Sequence, residues 1–194
     1  EEDMVVIISQ TAELLCSSNK NDLYVGGGCN SPEAFMCIEN LMKEITFASV
    51  SSLMGIGAVS KSNKNNFGMV GMHGSYAANL AMYEADCVVA LGVRFDDRAT
   101  GAIKKFCPNA KIIHIDIDAA EIDKILESSV SIVADVESIF PVMAELASEK
   151  KISADAGWLK KINKIKAEND SIVLGRPKGE KLANPREIIS KIPE

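Results

Sequence analysis

The chain of 194 residues carries a net charge of −6, and 47% of its residues are apolar. This length provides one sizeable hydrophobic core, whereas two separate domains would each be cramped. Acidic and basic residues are interspersed along the chain, which argues against nucleic acid as a partner and confines any phosphate site to a local cluster of residues.

The composition also bears on compartment and metal binding. No apolar run approaches the ~18 to 20 residues of a membrane span, and no signal-peptide pattern opens the chain, so we expect no membrane partner. We predict reduced thiols in a cytoplasmic compartment, without a disulfide framework or a metal site, because the cysteines are an odd set with no Cys-x-x-Cys spacing. These cysteines are Cys16, Cys29, Cys37, Cys87 and Cys107.

Helical and strand patterns alternate in the first part of the chain. Residues 4–17 have apolar side chains at near-helical spacing, and residues 23–25 form a short apolar strand that ends at three consecutive glycines. Ser31 followed by Pro32 predicts the start of a second helix. This order of strand, glycine turn and helix amino terminus suits a diphosphate, and a tight turn without a ligand is the alternative explanation of the glycines.

The next segment predicts two more strands. Residues 45–50 form a strand that runs into a turn of small residues, and residues 60–66 form a polar surface loop. Met69 and Val70 lie between glycines and predict a short edge strand. Residues 75–84 predict a helix whose alanines allow close packing on the sheet.

Three apolar runs supply the remaining strands of the predicted sheet. They span residues 86–91, 111–116 and 130–134. Asp118 and Glu121 are predicted to open a short helix after the second of these strands. Asp135 is predicted to cap a longer helix over residues 136–148.

The end of the chain differs in composition from the rest, and we place a boundary between residues 1–150 and residues 151–194. Residues 158–167 predict a basic amphipathic helix, and residues 169–184 predict a polar linker. Residues 184–194 predict the first helix of a further domain. We therefore expect the sequence to be a piece of a longer protein.

The alternation of elements predicts an α/β fold of the Rossmann-like, doubly wound type, with three layers and a six-stranded parallel sheet in the order 3-2-1-4-5-6. In this order the first and fourth strands are neighbours at the switch point of the sheet. The turns that follow these two strands would face one crevice, with Asp116 and Asp135 farther along the same edge.

The loop after the fourth strand, residues 92–101, reads Gly-Val-Arg-Phe-Asp-Asp-Arg-Ala-Thr-Gly, and we call it the arginine loop. Arg94 and Arg98 carry planar donor groups that suit a phosphate. Asp96 and Asp97 are candidates to orient an arginine or to accept a hydrogen bond from a ribose hydroxyl. The alternative is a solvated surface loop whose charges pair with one another.

The two histidines lie in different settings. His73 lies in a glycine-rich turn without catalytic or metal-binding partners nearby, so we predict that it packs against or hydrogen-bonds a ligand. His114 lies within the predicted strand over residues 111–116, and we predict a packing role for it.

Five motifs, in the same order, resemble the central domain of the catalytic subunit of acetolactate synthase (acetohydroxyacid synthase), a family of thiamine-diphosphate enzymes. The motifs lie at residues 26–28, 53–57, 68–74, 92–98 and 114–118. The resemblance covers essentially the whole chain. Its Arg-Phe-Asp-Asp-Arg segment, preceded by Met-His-Gly, is specific to this family among thiamine enzymes.

The resemblance implies that this domain binds FAD in an extended form, through its phosphates, ribose and adenine. It implies no catalytic residue in this chain, because the flavin takes no net redox part in the family's reaction and is regarded as largely structural. The positions that match the family's cofactor contacts are Gly26, Gly27, Gly28, Ser52, Leu53, Met54, Gly71, Met72, His73, Gly92, Val93, Arg94, Asp96, Arg98, Asp116, Ile117, Asp135 and Val136.

The resemblance also places the chemistry elsewhere. In the family an amino-terminal domain holds the activating glutamate, and a carboxyl-terminal domain holds thiamine diphosphate and Mg²⁺, so we expect this chain to be inactive alone. The parent enzyme would condense two pyruvates, or pyruvate and 2-oxobutyrate, in branched-chain amino-acid biosynthesis. Expected partners are the flanking thiamine-binding domains, further copies of the parent chain and a regulatory small subunit. The expected compartment is the cytoplasm, or a plastid or mitochondrion in a eukaryote.

Three alternatives stay open at this point. The first is a flavin domain of the pyruvate oxidase or glyoxylate carboligase type, against which the Arg-Phe-Asp-Asp-Arg segment argues. The second is a stand-alone NAD-binding dehydrogenase or deacylase, which would need a partnered catalytic histidine or a cysteine-rich zinc site. The third is a purely structural or regulatory domain that has lost FAD, which the intact arginines oppose.

Overall fold

A parallel sheet forms the middle layer of the computed structural model, which describes residues 2–150 and 152–173. Its strands lie in the order β3-β2-β1-β4-β5-β6, with each adjacent pair parallel. The predicted doubly wound sheet with the order 3-2-1-4-5-6 is therefore confirmed. The strands are β1 (Asn21–Val25), β2 (Ala48–Ser51), β3 (Asn66–Met69), β4 (Cys87–Leu91), β5 (Lys111–Asp116) and β6 (Val130–Val133).

Helices cover both faces of this sheet. They are α1 (Glu2–Ser17), α2 (Pro32–Glu44), α3 (Tyr76–Glu84), α4 (Asp97–Thr100), α5 (Ile103–Phe106), α6 (Val136–Lys150) and α7 (Ala156–Val173). Helices α1, α2 and α6 bury apolar side chains in one core cluster, and α3, α5 and α7 do so in a second cluster. In the part of the chain that the structure describes, no helix combines the length and apolar character needed to cross a membrane.

Strand β1 shows why the chain needs helices on both faces. All five of its residues are buried; Leu23 and Val25 belong to the first core cluster, and Tyr24 belongs to the second. Successive side chains of a strand point to opposite faces, so a sheet covered on both sides requires near-continuous apolar runs. Strand β4 meets the same requirement, with five buried residues.

Side-chain caps start three helices where the sequence predicts them. Ser31 Oγ accepts a hydrogen bond from a first-turn amide of α2 at 2.9 Å, and Ser75 Oγ accepts one from α3 at 2.9 Å. Asp135 Oδ1 accepts from an amide in the first turn of α6 at 3.0 Å. Such caps satisfy amides that have no partner within the helix and contribute about 1 kcal/mol each.

Two strand boundaries differ from the prediction. Strand β2 begins at Ala48 rather than at residue 45, because Ile45 ends α2 by donating its N–H to a carbonyl of the last helical turn. Strand β3 spans Asn66–Met69 and therefore begins before the predicted pair Met69 and Val70. Its first residue is a polar side chain, which the apolar pattern does not recognise as strand.

The predicted short helix at Asp118 is wrong. Residues 119–129 form turns and bends. Asp116 Oδ1 accepts from the N–H of Asp118, and Asp118 Oδ1 accepts from the N–H of Ala120, each at 2.9 Å. Bonds from a carboxylate to the amide two residues later stabilise successive turns and compete with helix formation.

Helix α7 packs against the second core cluster. Trp158, Leu159 and Ile162 are buried there, and Lys166 Nζ donates to the Asn66 carbonyl oxygen of β3 at 2.7 Å. The basic helix is thus longer than predicted and extends into the segment interpreted as a linker. The rest of that segment and the last predicted helix, residues 184–194, lie outside the described residues.

Asp22 is a fully buried carboxyl group in β1. Neither of its carboxylate oxygens has a hydrogen-bond partner in the described structure. Burial raises the pKa of Asp22 to about 8, against a smaller lowering effect of the Leu23 backbone. Because the charged form is disfavoured in the folded state, the neutral acid contributes stability that the carboxylate does not.

We expect this group to make stability fall as pH rises. The pKa of Asp22 is about 8 in the folded state and roughly 3.9 in the unfolded chain, so its stabilising contribution is complete below pH ~4 and is lost as pH rises through 8. The slope approaches ~1.4 kcal/mol per pH unit. We therefore expect the free energy of unfolding of Asp22→Asn, relative to that of the original chain, to increase as pH rises from 5 to 8. Urea unfolding of both chains across this range measures it.

The exposed Asp97 provides the matched control for this measurement. A change in the pH dependence of stability that Asp97→Asn reproduced could not be assigned to Asp22. If Asp22→Asn and the original chain gave parallel stability curves over this range, Asp22 would be ionised in the fold and our assignment would be wrong.

Candidate functional site

The carboxyl ends of β1 and β4 meet at the switch point of the sheet. Gly26 donates its N–H to the carbonyl oxygen of Leu91 at 2.9 Å, and Gly28 donates to that of Gly92 at 3.2 Å. A cleft of about 590 Å³ opens at this edge. In doubly wound sheets this is the position where ligands bind.

Glycines allow the two turns to touch. A Cβ atom on Gly26 would lie 2.0 Å from the Gly92 carbonyl oxygen, and one on Gly28 would lie 2.8 Å from the Gly92 Cα. Gly92 itself has φ of +56°, a conformation that favours glycine. Gly26 and Gly28 therefore serve the packing of one turn on the other. Of the three consecutive glycines, Gly27 and Gly28 line the cleft.

The arginine loop presents Arg94 to the cleft. Its neighbours Val93 and Phe95 are buried, whereas Arg94 is exposed and lines the cleft wall. Asp96 Oδ1 accepts from the N–H of Ala99 at 2.9 Å, so this carboxylate caps α4. Among the ion pairs formed by residues 2–150 and 152–173, none involves Arg94 or Arg98. The alternative of a self-paired charged loop is therefore not supported.

Arg98 lies in α4, outside the residues that line the cleft. Its carbonyl oxygen accepts from the N–H of Met72 at 3.2 Å, and a Cβ on Gly71 would lie 2.4 Å from that oxygen. The turn of Gly71, Met72 and His73 thus packs beside α4. The side chains of Met72 and His73 are exposed and, like Arg98, do not line the cleft.

Carboxylates from the ends of β5 and β6 also line this edge of the sheet. Asp116 and Ile117 line both the main cleft and an adjoining cavity of about 180 Å³. Asp135 and Val136 line the adjoining cavity, together with Gly28 and Gly92. The strand order thus brings these acidic residues to the edge where the sequence predicts them.

The turn after β2 forms a third wall. Ser52 donates its N–H to the Val25 carbonyl oxygen at 2.9 Å, and its Oγ accepts from the N–H of Gly55 at 3.2 Å. Ser52 and Met54 line the cleft, while Leu53 is highly exposed and lies outside the lining. The backbone amides of Gly27 and Met54 make no hydrogen bond within the described residues, so both remain available as donors on the cleft wall.

The amino terminus of α2 offers less to an anion than the sequence suggests. Pro32 has no N–H, and the N–H of Ala34 donates to Ser31 Oγ. Ser31 Oγ in turn donates to Glu137 Oε1 at 2.6 Å, which brings a carboxylate to this helix end. This terminus therefore offers fewer free donors than the predicted helix start suggests, and its role as a diphosphate site stays a prediction.

Sequence reasoning missed four residues of the cleft: Tyr24, Phe95, Asp118 and Glu121. The Tyr24 ring packs on Phe95 with centroids 5.7 Å apart, and burial raises the pKa of its hydroxyl, with Asp96 adding to the effect. Tyr24 lies two residues before the glycine turn, and this position at the end of a strand could have identified it as a cleft residue. The turns after β5 that place Asp118 and Glu121 had no such signal.

Nucleophilic and metal chemistry find little support at this site. Cys29 is buried beside the glycine turn, where its thiol donates to the Leu91 carbonyl oxygen at 3.4 Å, and burial raises its pKa to about 12. A thiol with so high a pKa is a poor nucleophile. Within the described ranges, no group of three or more His, Cys, Asp or Glu residues is placed to hold a metal ion.

A doubly wound domain with a cleft at its switch point is typical of proteins that bind a cofactor, and comparison of the sequence with known families identifies which family this one belongs to. Residues 8–146 match the family model of the thiamine pyrophosphate enzyme central domain, so the chain belongs to this family.

Proteins similar to this chain include acetolactate synthase large subunits, which confirms the resemblance found in the motifs. The chain is 38% identical over 143 residues to the isozyme 3 large subunit of Escherichia coli K12, covering 74% of this chain and 25% of that protein. It is 37% identical over 189 residues to the Cyanidium caldarium large subunit, covering 95% of this chain and 32% of that protein. The chain therefore spans about a quarter to a third of the length of these curated relatives.

We expect Gly26 to be indispensable for the meeting of the two turns. Gly26→Ala places a methyl group against rigid backbone and should lower the free energy of unfolding by roughly 3 kcal/mol or more, or prevent folding. In Gly27→Ala the new Cβ meets only the Met54 side chain, at 3.2 Å, and the loss should stay below about 1 kcal/mol. Urea unfolding of both variants tests this, and equal losses would contradict the turn-on-turn packing.

Proposed function

We propose that this chain is the FAD-binding central domain of an acetolactate synthase large subunit. The observation that carries the proposal is the exposed guanidinium of Arg94, which lines a cleft at the switch point of the sheet without a carboxylate partner in the described residues. A guanidinium kept free at such a place is suited to a phosphate group.

The donors and the carboxylates that line the cleft suit the two kinds of group in a dinucleotide. Arg94 and the free amides of Gly27 and Met54 supply donors for the diphosphate. Asp116 and Asp135 supply carboxylate acceptors for ribose hydroxyls and for an adenine amino group. The residues present therefore fit an extended FAD molecule that crosses the strand ends.

The predicted contacts fall into two groups on this proposal. The first group lines the cleft or the adjoining cavity and has direct geometric support: Gly27, Gly28, Ser52, Met54, Gly92, Val93, Arg94, Asp96, Asp116, Ile117, Asp135 and Val136. The second group stays a prediction from the resemblance: Gly26, Leu53, Gly71, Met72, His73 and Arg98.

The role that we propose for this chain is to bind and orient the cofactor. FAD supplies a redox-active ring when it is bound, but the proposed carboligation of 2-oxo acids needs no net oxidation. We propose that a longer protein supplies thiamine diphosphate, Mg²⁺ and the catalytic groups that condense pyruvate with pyruvate or 2-oxobutyrate. Assembly of that protein with further copies and a regulatory small subunit is part of the same proposal.

Calorimetric titration of the 194-residue chain with FAD tests the proposal. We expect binding, and we expect Arg94→Gln to weaken it by roughly 10- to 150-fold, since a hydrogen bond to a charged group contributes ~1.5–3 kcal/mol. Lys160→Gln removes the same charge from the exposed surface of α7 and should leave the affinity unchanged. Arg98→Gln should have the smaller effect of the two arginine variants, because Arg98 does not line the cleft.

Other ligands separate the alternatives. We expect FAD to bind more tightly than FMN, because only FAD has the adenosine and diphosphate that Arg94 and Asp116 would meet. Tighter binding of NAD than of FAD would favour a stand-alone NAD-binding enzyme. Absence of FAD binding by the folded chain would contradict the proposed function of this chain.

A further inference from the structure

A buried histidine of the neighbouring strand contacts the arginine loop on both sides of Arg94. His114 lies in β5, is fully buried, and has its Nε2 atom 3.0 Å from the Val93 carbonyl oxygen. Its ring meets the Phe95 ring edge-on, with centroids 5.1 Å apart. Val93 and Phe95 are the two chain neighbours of Arg94, so His114 contacts the backbone just before Arg94 and the side chain of the residue just after it.

The contact with Val93 specifies the tautomer of His114. A carbonyl oxygen only accepts hydrogen bonds, so Nε2 must carry the proton and donate it. The other ring nitrogen, Nδ1, is buried and has no hydrogen-bond partner in the described structure. The ring therefore matches its surroundings as an Nε2–H donor with an apolar remainder.

Phe95 has a backbone conformation that needs such support. Its φ angle is +49°, in the left-handed region that aromatic residues rarely adopt. Its ring is held among Tyr24, Phe106 and His114, with centroid distances of 5.7, 6.3 and 5.1 Å. Without these contacts we expect the loop to relax toward a commoner φ value, which would move the Arg94 side chain.

We propose that His114 is a positioning residue for the binding of an anionic ligand, because it bonds the Val93 carbonyl oxygen before Arg94 and packs on the Phe95 ring after it. This inference rests on the proposed function. It extends that proposal, because His114 does not line the cleft and is absent from the contacts that the resemblance implies. Its effect on the ligand passes through Val93, Phe95 and the guanidinium between them.

Two substitutions separate the hydrogen bond from the bulk of the ring. His114→Phe keeps a ring next to Phe95 and removes the donor to Val93, whereas His114→Gln keeps an N–H donor near the Nε2 position. Ile162→Val is the matched control, because Ile162 is fully buried in the core cluster that contains Phe95 but lies in α7.

FAD titration of the 194-residue chain provides the first readout, with thermal unfolding of each variant in the absence of FAD. We expect His114→Phe to bind about tenfold more weakly, His114→Gln to stay within about threefold, and Ile162→Val to bind unchanged. Unchanged affinity of His114→Phe would overturn the inference. A loss of affinity in Ile162→Val that follows its loss of stability would also overturn it, since the effect would then be general destabilisation.

Hydrogen exchange provides a readout that needs no ligand. The N–H groups of Ala99 and Thr100 donate to the Asp96 carbonyl oxygen within the arginine loop. We expect faster exchange across residues 93–100 in His114→Phe and protection close to the original in His114→Gln and Ile162→Val. Unchanged exchange in His114→Phe would show that His114 does not hold the loop, whatever the affinity for FAD.

The nitrogen chemical shifts of the His114 ring test the tautomer directly, and a proton on Nδ1 instead of Nε2 would contradict the hydrogen bond to Val93.

The experiments distinguish failure of the proposed function from failure of this inference. If the folded chain does not bind FAD, the proposed function fails, while the exchange data still decide whether His114 positions the loop.

Discussion

The backbone contact between the turns after β1 and β4 is the constraint on which the cleft depends. Gly26 and Gly28 donate to carbonyl oxygens at the end of β4, and side chains at Gly26, Gly28 or Gly92 would collide with that backbone. With the two turns in contact, Arg94 and Asp116 lie along one sheet edge. Gly26, Gly28 and Gly92 thus shape the site by allowing the two turns to meet.

The sequence was sufficient to predict features that depend on local pattern and strand order. Continuous apolar runs such as 87–91 identify buried parallel strands, and the strand order then places Asp116 and Asp135 at one edge. The sequence alone did not predict contacts between segments that are distant along the chain. Glu137 reaches Ser31 from 106 positions along the chain, so the occupied amino terminus of α2 has no local signature.

Two other differences arise where local chemistry competes with a regular pattern. The carboxylate-stabilised turns at Asp116 and Asp118 replace the predicted short helix, since each side chain bonds an amide that a helix would need. The packing of Phe95 between Tyr24 and His114 joins three strands or loops that are far apart in sequence. Periodicity predicts that these residues are buried but not which rings meet.

The position of α7 has a consequence for the edge of the sheet. Strand β3 is an outer strand, and an outer strand presents backbone groups that can pair with a strand of another molecule. Lys166 bonds to the Asn66 carbonyl oxygen of β3, and Trp158 and Ile162 seal the adjoining core. The family match ends at residue 146, but a version trimmed there would uncover both this core and part of that strand. Helix α7 thus adds to the core and also occupies a backbone acceptor at the start of the outer strand.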